Sequence, residues 1–243
     1  MRNMIEGRSE KNRKLHFTLI DPDKQSPEDA GKLAKLAETY GSDAIMIGGS
    51  TNTAGLMDET TKAIKKSVRI PTILFPSGSH GVSRFADYIF FMMLMNSTDR
   101  RFLVGEQVKA AKFVKKSGLG IIPMGYIVVS TSKKPTAVEV VGKVDRISGE
   151  DTEKAVSYAT ASELFGMHCV YLEAGSGAEK PVPQEMIRAV KKNLDIPLIV
   201  GGGIRTPDAT RKVVAAGADV VVTGTIAEQN SKILKDIIRA VKE

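Results

Sequence analysis

Tryptophan is absent, cysteine occurs once, and aromatic residues make up only 5% of the chain. A single cysteine, Cys169, excludes an intramolecular disulfide and any cysteine cage for a metal, and it fits a reducing compartment. Its place in the apolar run Cys169-Val170-Tyr171-Leu172 makes it a packing residue. Long apolar runs are missing as well. The longest, Tyr88 to Met95, falls far short of the about 20 residues that span a bilayer, and the polar stretch Met1 to Lys14 lacks the apolar centre of a signal peptide. These absences read as a cytoplasmic protein with no transmembrane segment. No linker rich in proline, glycine or serine and no low-complexity tract divides the chain, so residues 1–243 are read as one domain.

What is present is an ordinary globular composition, with 42% hydrophobic and 26% charged residues, sufficient for a large core. The net charge of +7 and the pI near 9.4 suggest an anionic partner: nucleic acid, a phosphorylated metabolite or an acidic membrane surface. Most lysines, such as Lys32-Lys35 and Lys62-Lys65-Lys66, are spaced as a solvated helix face. A nucleic-acid binder needs a basic stripe with stacking aromatics, which this sequence does not offer.

Eight short aliphatic runs recur: His16–Ile20, Ala44–Gly49, Thr72–Phe75, Tyr88–Leu94, Gly120–Val129, Cys169–Glu173, Leu198–Val200 and Asp219–Thr223. They are continuous rather than alternating, as strands buried on both faces are. Amphipathic stretches of helical period lie between most of them: Pro27–Tyr40, Met57–Ser67, Glu106–Lys116, Thr152–Phe165, Pro183–Asn193 and Pro207–Ala216. Ser26-Pro27 and Thr206-Pro207 are helix starts, and Gly41, Gly118, Gly166 and Gly217 stand where left-handed caps end helices. This grammar is α/β, and its length suits a (β/α)8 or TIM barrel of about 250 residues; an open doubly wound sheet uses the same units. Two departures stand out. Gly78 to Asp87 is too short and too glycine-rich for a third helix, which is expected to be missing, and Ser130 to Gly149 is a polar insert with a helical stretch at Thr136–Val141, expected as a mobile loop over the strand ends.

In such barrels the site lies where strands run into their following loops, with phosphate often bound after strands seven and eight. Strand seven ends in Val200-Gly201-Gly202-Gly203-Ile204-Arg205 and strand eight in Val222-Thr223-Gly224-Thr225, placing two glycine turns 21 residues apart, at Gly203 and Gly224, at neighbouring strand ends. Glycine lets backbone N–H groups approach an anion closely, so this pair is a phosphate cradle. Strand six ends in Tyr171-Leu172-Glu173-Ala174-Gly175-Ser176-Gly177. A carboxylate after a buried run is costly without a partner or substrate, and Glu173 is the best general-base candidate. Strand one ends in Asp21-Pro22-Asp23-Lys24 and strand two in Gly48-Gly49-Ser50-Thr51, hard oxygens suited to a Mg²⁺ that keeps waters and borrows diphosphate ligands. His16 reads as a hydrogen-bonded core histidine, and no histidine pair has zinc-ligand spacing.

Together, His16-Phe17-Thr18-Leu19-Ile20-Asp21-Pro22-Asp23-Lys24, Met46-Ile47-Gly48-Gly49-Ser50, Tyr171 to Gly177 and Val200 to Arg205 resemble the geranylgeranylglyceryl phosphate synthase family over nearly the whole chain. The resemblance implies a Mg²⁺-dependent prenyltransferase joining the 3-hydroxyl of sn-glycerol 1-phosphate to geranylgeranyl diphosphate by an ether bond, in archaeal-type lipid synthesis. It places the glycerol-phosphate site on Tyr171, Leu172, Glu173, Ala174, Gly175, Ser176, Gly177, Gly202, Gly203, Gly224 and Thr225, the metal on Asp21 and Ser50, and the base on Glu173. It also implies a homo-oligomer, with at most transient contact with a membrane surface. Some members carry a lysine two residues before the first aspartate where this chain has Leu19, so diphosphate contacts fall to Lys24, the Ser130–Lys134 loop or elsewhere. A groove for the prenyl tail is expected near the missing helix, lined by Phe75, Phe90, Met92, Met124 and Tyr126. A phosphosugar isomerase or aldolase barrel would share the glycine turns, but such enzymes rely on an acid–base pair or a Schiff-base lysine, and no lysine lies in an expected strand.

Overall fold

A computed structural model describes Ile5, residues 13–49 and residues 56–243. The eight apolar runs form eight parallel strands: β1 (Leu15–Ile20), β2 (Ala44–Ile47), β3 (Thr72–Leu74), β4 (Tyr88–Leu94), β5 (Gly120–Val128), β6 (Cys169–Glu173), β7 (Leu198–Gly201) and β8 (Val220–Thr223). They close in chain order, and β8 pairs back onto β1 with Phe17 opposite Val222, which excludes the open sheet.

Each strand is buried twice over. Phe17, Ile73, Phe90, Met124, Tyr171 and Ile199 fill the barrel, while Val170, Leu172, Leu198 and Val200 on one side and Ile20, Ile45, Ile47 and Leu74 on the other pack outward against helices. Each fully buried side chain of this size contributes about 1.5–3 kcal/mol. Cys169 is among the interior residues and fully buried.

The helices begin and end where the signals stand. In α1 (Pro27–Tyr40) the Ser26 hydroxyl accepts from Asp29 N–H at 3.1 Å, and Gly41 closes the helix at φ +100°. Next come α2 (Met57–Ser67), α3 (Glu106–Lys116), α4 (Ala137–Val141), α5 (Thr152–Leu164), α6 (Gln184–Lys192), α7 (Pro207–Ala215), α8 (Thr225–Gln229) and α9 (Ser231–Lys242). Gly118, Gly166 and Gly217 all have the left-handed φ expected of them. No described helix is long and apolar enough to cross a membrane.

Residues 75–87, between β3 and β4, contain no helix. The segment is held instead by Glu106 at the start of α3, whose carboxylate accepts from Ser79 N–H at 2.8 Å and pairs with Arg101 and Lys109. Burial pushes this carboxyl up, but those donors outweigh it and hold it near 2. A turn of π-helix, Arg101–Gly105, leads into α3.

The insert after β5 is fastened rather than free. Thr136 and Glu139 form a capping box on α4, Arg146 donates to Ser130 Oγ at 3.1 Å, Thr131 Oγ1 donates to Lys180 O at 2.7 Å, and Glu179 N–H donates to Ser132 Oγ at 2.9 Å. These side chains, which tie the insert to the loop after β6, are not apparent from its loop-like composition.

His16 is fully buried in β1, with Nδ1 3.1 Å from Ser42 Oγ and Nε2 2.9 Å from Thr223 Oγ1. Burial first, then the nearby Lys242 charge, lowers its pKa from 6.5 to about 3. The unfolded chain therefore binds a proton that the folded one refuses between those values. Stability should be complete above 6.5 and fall as pH drops toward 3, by about 3 kcal/mol at pH 4 from this group alone. Urea midpoints at pH 7, 5 and 4 for the wild type and His16→Gln check this; an equal acid loss in both proteins would refute it.

Candidate active site

The C-terminal ends of β6, β7 and β8 form one polar cradle. Tyr171, Glu173, Gly175, Ser176 and Gly177 face Gly202, Gly203, Gly224 and Thr225 around a small cavity, and Ser176 Oγ lies 3.3 Å from Thr225 Oγ1. Three glycines are required here for different reasons. A methyl at Gly201 would strike the Tyr171 hydroxyl, one at Gly202 the Glu173 carboxylate, and one at Gly203 the backbone of Lys180. Gly202 and Gly203 also sit at φ +80° and +68°, which side chains rarely tolerate.

Glu173 is 6% exposed at the end of β6. Its Oε1 accepts from Gly175 N–H at 2.6 Å, and the fully buried Tyr171 hydroxyl donates to the same carboxylate. Burial raises this carboxyl above its ordinary range, against the opposing pull of those two donors. Desolvation of a carboxyl at the mouth of a cavity marks it as a candidate general base.

A second, larger cavity of about 370 Å³ adjoins the cradle, and its walls are mainly apolar. Phe75, Phe90, Met92 and Tyr126 line it as expected. Met124 does not. It points into the barrel but lies two residues before Tyr126 on β5, where it is fully buried. The cavity takes in both faces of β4, since Phe90 and Met92 point inward while Ile89 and Phe91 pack on the outer side. With Val82 and Ala110 it occupies the side of the barrel that residues 75–87 leave without a helix. Phe75 and Tyr126 of its lining pack against Tyr171 of the cradle, with ring centroids 5.4–5.7 Å apart.

The two cavities share a wall. Leu19, Glu173, Ser176, Gly224 and Thr225 border both, so the buried carboxylate stands at the junction of polar cradle and apolar space.

Residues 7–243 match the PcrB family. The chain belongs to that family. The geranylgeranylglyceryl phosphate synthase of Thermoplasma volcanium is 48% identical over 236 residues, covering 96% of this chain and 92% of the relative. The synthase of that name from Pyrococcus abyssi is 48% identical over 245 residues, covering 98% and 96%. The crystal structure of (S)-3-O-geranylgeranylglyceryl phosphate synthase from Thermoplasma acidophilum in complex with substrate sn-glycerol-1-phosphate matches with a TM-score of 0.93 at 43% identity, over 100% of this chain and 99% of that one.

Within this PcrB-family barrel, nine of the eleven residues expected around glycerol phosphate border the cradle. Leu172 and Ala174 do not. Their side chains are fully buried among Val170, Val200 and Ile204 on the outer side of the barrel, because residues alternate across a strand and only every second one faces the mouth. The amide of Ala174 instead donates to Gly201 O at 3.0 Å, joining the ends of β6 and β7.

Asp21 borders the apolar cavity at the end of β1, its Oδ1 accepting from Asp23 N–H at 3.1 Å and its Oδ2 3.8 Å from Lys24 Nζ. Burial raises its carboxyl, with Asp23 N–H and Lys24 opposing. A methyl at Gly49 would overlap this carboxylate, so glycine there keeps its flank open. Ser50 lies outside the described residues. Among those described, no cluster of three or more histidine, cysteine or acidic side chains forms a metal cage. The donor set nonetheless fits Mg²⁺, which takes one or two protein carboxylates and fills its shell with water and phosphate oxygens.

Arg205, Glu228, Gln107 and Phe102 also border these cavities and are not among the expected site residues. Arg205 closes the strand-seven motif already in view; Gln107 sits on α3, whose amphipathic pattern does not separate a cavity face from a solvent face, while Phe102 lies in the π-helical turn before it and Glu228 in the short α8, neither of which the sequence marks as a helix.

Proposed function

We propose that this chain transfers the prenyl group of geranylgeranyl diphosphate to the 3-hydroxyl of sn-glycerol 1-phosphate, forming an ether and releasing diphosphate. The observation that carries this reading is the position of Glu173 on the wall common to a phosphate cradle and a long apolar cavity. The names of the relatives, and the glycerol phosphate bound in the Thermoplasma acidophilum enzyme, support it. An isomerase or aldolase has use for the cradle but none for the apolar space beside it.

Glycerol phosphate binds through the amides and hydroxyls at Gly202, Gly203, Gly224, Thr225 and Ser176, which holds its 3-hydroxyl toward Glu173. The prenyl chain lies in the apolar cavity with its diphosphate toward Asp21. As the hydroxyl oxygen bonds to the allylic C1, the C1–diphosphate bond breaks, its electron pair leaves with diphosphate, and the hydroxyl proton passes to Glu173. Asp21 and Ser50 would hold Mg²⁺, which when bound would supply positive charge against that of the departing diphosphate. Orientation across the shared wall accounts for much of the rate.

A cytoplasmic setting, transient contact with a membrane surface and a homo-oligomer belong to the same proposal; the exposed Phe113, Ile121, Leu164 and Phe165 supply apolar surface for self-association.

The direct test incubates the protein with Mg²⁺, radiolabelled sn-glycerol 1-phosphate and a ladder of prenyl diphosphates, then extracts with organic solvent. Label should enter the organic phase, most strongly with the twenty-carbon donor. No extractable label with any donor would defeat the reading.

A further inference from the structure

Lys24 is the only lysine or arginine that borders the apolar cavity among the described residues. It stands three positions after Asp21, its side chain 43% exposed, with Nζ 3.2 Å from Glu228 Oε2 and 3.8 Å from Asp21 Oδ2. Glu228 is on α8, the helix that starts at Thr225 of the phosphate cradle, and its side chain is 16% exposed. One ammonium therefore bridges the loop after β1 and the helix after β8 across the polar end of the cavity.

That end has too little positive charge for its expected ligand. Of the four acids that border the cavity among the described residues, Glu106 is paired with Arg101 and Lys109, which leaves Asp21, Glu173 and Glu228 against Lys24 alone. A diphosphate brings further negative charge and has to meet cations. Lys133 and Lys134 of the insert border neither cavity. An ion pair as exposed as Lys24–Glu228 is weak, and a flexible lysine moves readily to a partner of higher charge.

We propose that Lys24 binds the diphosphate in this chain and that Glu228 is its resting counter-ion, exchanged for the incoming ligand. The proposal rests on the transferase reading. After the exchange the Glu228 carboxylate faces the bound anions without its lysine, so Glu228 holds affinity down while Lys24 raises it.

Calorimetric titration of inorganic pyrophosphate, with and without Mg²⁺, into the wild type, Lys24→Met, Glu228→Gln and the double variant tests this, with glycerol 1-phosphate titrated into the same proteins. Lys24→Met should weaken pyrophosphate ten- to a hundredfold and leave glycerol 1-phosphate within about twofold, which also shows the fold intact. Glu228→Gln should tighten pyrophosphate about three- to tenfold, and that gain should vanish in the double variant. Wild-type affinity in Lys24→Met, or an equal gain from Glu228→Gln with Lys24 absent, overturns the assignment. A wild type that binds no pyrophosphate at all overturns the transferase reading itself, and Lys24 with it.

Discussion

Replacing Glu173 by glutamine is expected to lower kcat by about 10²- to 10⁴-fold, the usual contribution of a positioned base, while KM for glycerol 1-phosphate changes by no more than a few-fold. The substitution is nearly isosteric. Glutamine Oε1 can still accept from Gly175 N–H, so the bond now made at 2.6 Å survives and the cradle keeps its shape. What disappears is the ability to take a proton. The pH profile gives a second check. Burial raises the Glu173 carboxyl above its ordinary 4.5, so the ionised base fills at a higher pH than an exposed glutamate would. Wild-type kcat should climb with pH through a limb lying above 4.5, and the residual rate of the variant should lack that limb. Near-normal turnover in Glu173→Gln would remove the base from this residue.

The second large effect concerns Gly202. Its φ of +80° would by itself cost an alanine about 1–3 kcal/mol. The new methyl would also overlap the Glu173 carboxylate and lie 2.7 Å from Gly175 N and 2.9 Å from Ala174 N. Two strand ends would have to part, at the point where phosphate is to be held. Gly202→Ala should therefore raise KM for glycerol 1-phosphate a hundredfold or more and lower Tm by about 4–10 °C. Gly166→Ala separates strain from collision. That glycine has φ +79° with nothing within 4 Å of a built methyl, at the end of a helix outside both cavities. It should lose about 2–4 °C and leave KM unchanged. Equal effects on KM in the two variants would mean that the cradle is not where phosphate binds.

Much of this was legible in the chain because parallel barrels write their strands as unbroken apolar runs. All eight stand where the runs are, and Gly78-Ser79-His80-Gly81 announced the place where a helix is missing. The same continuity concealed side-chain direction. When both faces of a strand are apolar, nothing in the string separates Tyr126, which borders the cavity, from Met124 beneath it, or Glu173, which faces the mouth, from Leu172, which faces a helix. Depth along the barrel axis and direction across the strand are both set by closure, a property of all eight strands at once. The ties of the insert were hidden for a related reason. Its composition is that of a loop, but Ser130, Thr131 and Ser132 find their partners in Glu139, Lys180 and Glu179, two of them nearly fifty residues away.

With no helix in residues 75–87, the outer flank of β4 at Ile89 and Phe91 is left as a berth that opens on the apolar cavity. The floor of this berth is a strand hydrogen-bonded to β3 on one side and β5 on the other, so it cannot yield as a loop would. A slender apolar guest lying there would rest on a sheet with neighbours on both sides, so room for it would come from the side chains of that flank and not from movement of its backbone.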